Sequence, residues 1–146
     1  MRHFKNLFTL LLLTIPSISC KPSTLQDKVP YDYDDFLSSH LNWEDIFSPN
    51  EEDYYVYVYS KTCGHCIQIK EDVLEYAFTS IISFYFVEYV NQIPGDYDVS
   101  DTIGATEYSM VSILGTPTLL EIRNHILVLN EAGSKNILRI LGIDTS

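Results

Sequence analysis

The segment that most constrains the fold is a strand-forming run that leads directly into a pair of cysteines. Residues 54–59 read Tyr-Tyr-Val-Tyr-Val-Tyr, so every position favours a strand and both faces are apolar or aromatic. A strand of this kind is expected in the middle of a sheet, because both of its faces need cover. Cys63 and Cys66 follow, and the apolar residues after them recur at helical spacing, which predicts a helix from about Gly64 to Thr79.

The rest of the chain supplies elements that complete one α/β domain. A second strand is predicted at 84–90, and the order strand, helix, strand predicts a right-handed parallel crossover. Residues 118–122 and 126–129 flank Arg-Asn-His and predict a hairpin. Further helices are predicted at 32–47, at 102–112 and at 134–141, the last with Ser134 as its N-cap.

Two cysteines separated by two residues at a strand-to-helix junction favour redox chemistry. The first sulfur would lie at the helix start, where free amides and the helix dipole favour a thiolate. Cys63 is therefore the predicted nucleophile, with His65 beside it to tune its acidity. Cys66 lies one helical turn further on and is predicted to attack a mixed disulfide and release the partner.

On these residues the chain resembles the thioredoxin superfamily, over roughly residues 32–142. The resemblance rests on Cys63-Gly64-His65-Cys66, on the strand before it, and on Gly115-Thr116-Pro117-Thr118 before the third strand. It implies a thioredoxin-like fold: a central mixed sheet of about four strands flanked by helices, with a cis Thr116–Pro117 bond opposite the cysteines. In that family the cis-proline turn holds the substrate chain, which implies substrate contacts at Gly64, Thr116 and Pro117.

The chain also departs from the family pattern. The family carries a buried acid six residues before the first cysteine, where this chain has Tyr57. Thr62 and Ile67 replace a frequent tryptophan and lysine on either side of the pair. Gly-His between the cysteines resembles protein disulfide isomerases, which implies a potential in the upper half of the range from about -270 to about -120 mV.

Other readings of these residues are open from the sequence alone. Cys63 and Cys66 could form a structural disulfide or half of a zinc site, although no second CxxC or His pair completes four ligands. His65 could be a solvated helix-start residue, and Thr116–Pro117 a simple turn. His40 and His125 are interpreted as ordinary surface or turn residues, and the tyrosine-rich strand as core packing. No metal site and no diffusible cofactor are predicted.

The first twenty residues have the anatomy of a signal peptide. Arg2 and Lys5 precede an apolar run at 7–15, which as a helix would span roughly 14 Å, about half of a bilayer's hydrocarbon layer. Residues 17–20, Ser-Ile-Ser-Cys, resemble a bacterial lipobox, which implies cleavage before Cys20 and lipid on that cysteine. The prediction is a signal peptide at 1–19, a lipid-attached linker at 20–31 and a thioredoxin-like domain at 32–146. The alternative is ordinary cleavage and a secreted soluble protein.

The net charge of the chain excludes one class of binding partner. The net charge of -11 with no basic stripe argues against nucleic acid. The prediction is an extracytoplasmic, monomeric thiol-disulfide oxidoreductase, anchored by lipid to the bacterial cell membrane, whose partners are protein thiols and disulfides and a protein that recharges it. The alternative from a different class is a non-catalytic thioredoxin-fold adaptor that binds an envelope partner.

Overall fold

The computed structural model describes residues 30–90, 93–96 and 98–143, and its framework is one four-stranded mixed sheet. The strands are β1 (Asp53–Tyr59), β2 (Ser83–Glu88), β3 (Thr118–Arg123) and β4 (Ile126–Ala132), in the spatial order β2-β1-β3-β4. β1 pairs in parallel with β2 and antiparallel with β3, and β3 and β4 form a hairpin. The predicted central strand, parallel second strand and hairpin are confirmed.

Alternate side chains of β1 enter two separate parts of the core. Tyr55, Tyr57 and Tyr59 pack on the side that holds α1 (Gly64–Thr79) and α2 (Ser134–Ile140). Tyr54, Val56 and Val58 pack on the other side, among residues of the segments at 43–46 and 93–113. Six of the seven β1 residues are buried, which confirms core packing as the role of the tyrosine-rich strand.

The predicted helix at 32–47 is wrong. Two 3₁₀ helices, Tyr33–Ser39 and Trp43–Asp45, replace it. Between them the backbone forms a bridge with β2, where the Leu41 N–H donates to the Phe86 carbonyl oxygen at 2.9 Å. A bond to the sheet edge takes a donor that a continuous helix would need for itself, so the helix is interrupted.

His40 is therefore not the ordinary surface residue that the sequence predicted. It is half-buried and stacks on Phe86, with ring centroids 5.5 Å apart. Its two ring nitrogens lie 2.9 Å from the Phe36 carbonyl oxygen and 3.0 Å from the Tyr59 hydroxyl. By contrast, His125 is exposed in the β3–β4 turn, as predicted.

The predicted helix at 102–112 is also wrong, since only short 3₁₀ helices form at Ser100–Thr102 and Tyr108–Met110. Gly104 has φ +94, a conformation that ends a right-handed helix, and its N–H donates to the Leu127 carbonyl oxygen of β4 at 2.8 Å. The segment is held on the sheet by Asn130, whose buried Nδ2 donates to Thr102 Oγ1 at 2.9 Å and to the Ser112 carbonyl oxygen at 2.8 Å. β4 thus fixes the segment that leads to Pro117.

The last helix begins at Ser134, but Ser134 does not cap it. Gly133 occupies the N-cap position with φ 94 and has no side chain to accept from the helix. The Ser134 hydroxyl instead donates to the His65 carbonyl oxygen at 3.0 Å and joins α2 to the first turn of α1. The predicted N-cap is wrong because the hydroxyl has a tertiary acceptor.

Replacing Asn130 tests this account of the 98–116 segment. Asn130→Ala leaves the Ser112 carbonyl oxygen and the Thr102 hydroxyl without their buried donor, and we expect the free energy of unfolding to fall by about 1–3 kcal/mol. The control is Asn136→Ala, an exposed amide on α2, with an expected change within about 0.5 kcal/mol. Urea denaturation of the reduced proteins measures both. Equal effects of the two changes would contradict the role given to Asn130.

Candidate active site

The first cysteine lies at the junction of β1 and α1, where it is the N-cap of the helix. The Cys63 N–H donates to the Ser60 carbonyl oxygen at 3.2 Å, which closes a tight turn after the strand. Its sulfur then accepts the Cys66 N–H at 3.4 Å. The Cys63 sulfur thus receives an amide that the first turn of a helix leaves unpaired, at the positive end of the helix dipole.

The turn before β3 faces this sulfur. The Thr116–Pro117 peptide bond is cis, as the resemblance implied. The Cys63 thiol donates to the Thr116 carbonyl oxygen, with Sγ and O 3.3 Å apart. The Thr118 hydroxyl bonds back to the Gly115 carbonyl oxygen at 2.5 Å and fixes the turn on the end of β3. The structure therefore brings the predicted nucleophile and the predicted substrate-binding turn together.

Hydrogen bonds dominate the ionisation of the first sulfur. Partial burial alone would raise the pKa of Cys63, but hydrogen bonds from the Thr116 and Cys66 side chains and from the Cys66 and His65 backbone outweigh it. The pKa of Cys63 is therefore lowered from its ordinary value. This sulfur is half-buried and is a free thiol, so it combines thiolate character with access.

The second sulfur has the opposite environment. Cys66 is 1% exposed and also a free thiol. Burial raises the pKa of Cys66 to about 11, and a bond from the Ser60 backbone offsets only part of that effect. The two cysteines are thus divided into an accessible, acidic thiol and a buried, weakly acidic one, which is the difference that an attacking and a resolving sulfur require.

His65 and Gly64 lie on the open side of the first helical turn. Both are exposed, and a Cβ built on Gly64 would meet no atom within 4 Å beyond its chain neighbours and its own helix backbone, so the surface is open at Gly64. His65 lines a cavity of about 330 Å³ with Gly133 and Ser134. What His65 contributes to the acidity of Cys63 comes through its backbone. Tuning by the imidazole stays a prediction, as do substrate contacts at Gly64.

The residues that sequence reasoning missed are two tyrosines in the core next to Cys66. Tyr57 has no exposed surface and Tyr33 is 4% exposed, and among the described residues neither hydroxyl has a hydrogen-bond partner of ordinary geometry. A buried polar group without a partner costs about 1–3 kcal/mol. The only sequence signal was the tyrosine at the position where the resemblance expects an acid. Tyr33 gave no signal of its own.

Some predictions concern residues outside the described part of the chain. Cys20, the signal peptide and most of the linker lie there, so lipid attachment stays a prediction. Within residues 30–90, 93–96 and 98–143, no group of three or more His, Cys, Asp or Glu side chains could hold a metal ion. Over the same residues, none of the helices has the length and hydrophobicity needed to cross a bilayer.

Comparisons with known proteins concern the fold. No protein-family model matches the sequence, and no curated protein does. The short form of thioredoxin f from spinach chloroplast is similar in structure, with a TM-score of 0.50 and 16% identity over 72% of this chain and 88% of that one. Thioredoxin f2 from Chlamydomonas reinhardtii has a TM-score of 0.49 and 16% identity over 71% of this chain and 91% of that one. Thioredoxin from Aeropyrum pernix has a TM-score of 0.44 and 19% identity over 68% of this chain and 84% of that one. At these identities the likeness to the spinach protein concerns the fold alone.

Alkylation measures the difference between the two thiols. The rate at which iodoacetamide modifies Cys63 follows its thiolate fraction, so we expect the rate to rise with pH and level off below the value of about 8.5 of a free cysteine. When the pH falls below the lowered pKa of Cys63, the thiolate is protonated and the reaction stops. Thr116→Val removes a hydrogen bond from the sulfur and moves the midpoint upward. The control is Thr62→Val, whose hydroxyl contacts Ser60 instead. Peptide mass spectrometry follows each cysteine, and a Cys63 midpoint at or above 8.5 would contradict the assignment.

Proposed function

We propose that this chain, which has the thioredoxin fold, is a thiol-disulfide oxidoreductase that exchanges disulfides with protein substrates through Cys63 and Cys66. The observation that carries the proposal is the position of the Cys63 sulfur. It accepts an amide N–H of α1 at 3.4 Å and lies 3.3 Å from the Thr116 carbonyl oxygen. An acidic thiol, a buried thiol three residues away and a backbone acceptor thus meet at one place.

In this mechanism the Cys63 thiolate attacks one sulfur of a client disulfide. A bond forms between Cys63 and that sulfur, and the other client sulfur leaves as a thiolate and takes a proton from solvent. Cys66 then loses its proton and attacks Cys63, which releases the first client sulfur. The client disulfide gains two electrons and the Cys63–Cys66 pair loses two. The same steps in reverse give a disulfide to a client dithiol.

Backbone groups would hold the client during these steps. The carbonyl oxygen of Thr116 lies beside the reacting sulfur and, with two lone pairs, can accept a further hydrogen bond. An extended client chain can donate a backbone N–H to this oxygen while its cysteine lies over Cys63. Backbone recognition of this kind reads no side chain next to the cysteine, so we infer that the clients are many and are selected by exposed disulfides.

Direction depends on the potential of the pair and on the protein that recharges it. Interactions that stabilise the Cys63 thiolate stabilise the reduced form and so raise the potential. We place this pair in the upper half of the range from about -270 to about -120 mV, where oxidation and isomerisation are favoured. Equilibration with glutathione buffers measures the potential, and a value near -270 mV would favour reduction.

We also propose that the protein works outside the cytoplasm, attached to the cell membrane through lipid on Cys20. The proposal rests on the basic start, the nine-residue apolar run and the Ser-Ile-Ser-Cys motif at 17–20. The polar stretch after Cys20 would then separate the domain from the bilayer. Such a compartment is one in which protein disulfides persist.

Two cysteine variants test the activity. Cys63→Ser removes the attacking sulfur, and we expect turnover of insulin disulfides to fall to the level of buffer alone. Cys66→Ser keeps attack and blocks resolution, so this variant accumulates mixed disulfides through Cys63 that dithiothreitol releases. Non-reducing gels with mass spectrometry identify the trapped clients. Wild-type turnover that Cys63→Ser leaves unchanged would refute the mechanism, and an intact biological role in that variant would favour the adaptor alternative.

A third variant tests the attachment. We expect the full chain expressed in bacteria to incorporate labelled palmitate and to sediment with membranes, and Cys20→Ser to lose both properties. The matched control is Cys63→Ser, which leaves Cys20 in place. A secreted, soluble wild-type protein that carries a free thiol at Cys20 would contradict lipidation and favour ordinary signal-peptide cleavage.

A further inference from the structure

A cavity of about 370 Å³ is lined in part by the second cysteine. Its walls include Asp32, Tyr33, Ser60, Lys61, Cys66 and Lys70. Among the described residues that line it, none belongs to the cis-proline turn, and Cys63 does not line it either. Its polar walls and its size suit several water molecules.

A tyrosine that lines this cavity and a second tyrosine of the same buried cluster have buried hydroxyls. Tyr33 lines it, and Tyr57 belongs to the same buried cluster as Tyr33 and Cys66. The two hydroxyls interact with each other, yet within the described chain neither has a partner of ordinary hydrogen-bond geometry. Negative charge on Cys66 acts on both of them. They are therefore donors placed near a sulfur that must become negative.

The tyrosines keep their own protons while Cys66 ionises. Burial raises the pKa of Tyr33 and that of Tyr57 far above the ordinary value for tyrosine, and the charge of Cys66 raises them further. Neither hydroxyl can serve as a base near neutral pH. As neutral hydroxyls they can donate hydrogen bonds to the Cys66 thiolate, directly or through one water molecule.

The charged groups around the cavity do not supply a strong base either. A hydrogen bond from Lys70, at 2.9 Å, holds the pKa of Asp32 below its ordinary value, so this carboxylate binds a proton weakly. Asp34, Lys61 and Lys70 complete the charges at the cavity walls, two negative and two positive. The other titratable groups around Cys66 include Cys63, Tyr33 and Tyr57. They also include the preceding residue His65 and, in the same buried cluster, Tyr59, whose hydroxyl lies 3.0 Å from Nε2 of His40.

We propose that the proton of Cys66 leaves to water through this cavity and that the Tyr33 and Tyr57 hydroxyls stabilise the resulting thiolate by donating hydrogen bonds. The inference rests on the proposed function, since resolution is the step it concerns. Cys66 S–H gives its proton to water, and its thiolate forms a bond to Cys63. The bond from Cys63 to the client sulfur breaks, and the client leaves as a thiolate that is protonated by solvent.

The first test needs no activity. In a Cys63→Ser background with ¹³C-labelled cysteine, the Cβ chemical shift of Cys66 in an NMR titration reports its ionisation. An ultraviolet titration of the thiolate would be obscured by the absorbance of the eleven tyrosines. We expect Tyr57→Phe and Tyr33→Phe to move the titration to higher pH. The control is Tyr55→Phe, a buried tyrosine on the same face of β1 whose hydroxyl interacts with Glu121 and Tyr76. If both variants fold and the pH midpoint of the Cys66 titration is unchanged in each, the inference is overturned. If Tyr57→Phe does not fold, the midpoint in Tyr33→Phe alone decides.

The second test follows the step itself. The wild-type protein, loaded on Cys63 with 5-thio-2-nitrobenzoate, releases that thiolate when Cys66 attacks. The release should slow about three- to fourfold for each unit by which the tyrosine changes raise the pKa of Cys66, because the thiolate fraction falls about tenfold while the nucleophilicity of the thiolate rises. It should also increase in proportion to hydroxide through pH 6–9. A plateau in that range would reveal a protein base and overturn the exit to water. If the release rate is the same in both tyrosine variants as in the wild type, only the inference is overturned. If the wild type releases no 5-thio-2-nitrobenzoate, the proposed function is refuted and the inference with it.

Discussion

The antiparallel pairing of β1 with β3 is the constraint on which the site depends. Val58, near the end of β1, lies opposite Thr118 at the start of β3. Because the strands run in opposite directions, whatever follows β1 meets whatever precedes β3 at the same edge of the sheet. Cys63 follows β1 after a tight turn, and Thr116–Pro117 precedes β3. Residues more than fifty positions apart in the chain are thereby in contact without any long side chain reaching across.

Placement relative to α1 gives two chemically identical side chains different acidities. Cys63 stands outside the first turn, where the amides of the helix point at its sulfur, and Cys66 is turned inward against the aromatic core. Hydrogen bonds to the charged form outweigh burial at Cys63, and burial outweighs them at Cys66. The difference arises because Cys63 is the N-cap, outside the helix, whereas Cys66 lies within the first turn and is buried in the core.

The sequence predicted those parts of the fold that local pattern determines. The runs that become β1 and α1, the hairpin and the cis-proline motif carry strong local signals. The segments around His40 and Gly104 do not, because their conformation is set by hydrogen bonds to Phe86 and Leu127, far away in the chain. The same holds for the site: the spacing of Cys63 and Cys66 is visible in the sequence, whereas Tyr33 reaches the core next to Cys66 only through the tertiary fold.

The bond between the Cys63 thiol and the Thr116 carbonyl oxygen has a consequence for how a client is admitted. While Cys63 keeps its proton, the thiol donates to one lone pair of the carbonyl oxygen that an incoming peptide would use under the proposed function. Loss of that proton, by ionisation or on bonding to another sulfur, leaves both lone pairs of the oxygen free for a peptide N–H. Under the proposed function, client binding and thiol ionisation are therefore coupled through one proton, because the protonated thiol competes with the client for the Thr116 carbonyl oxygen.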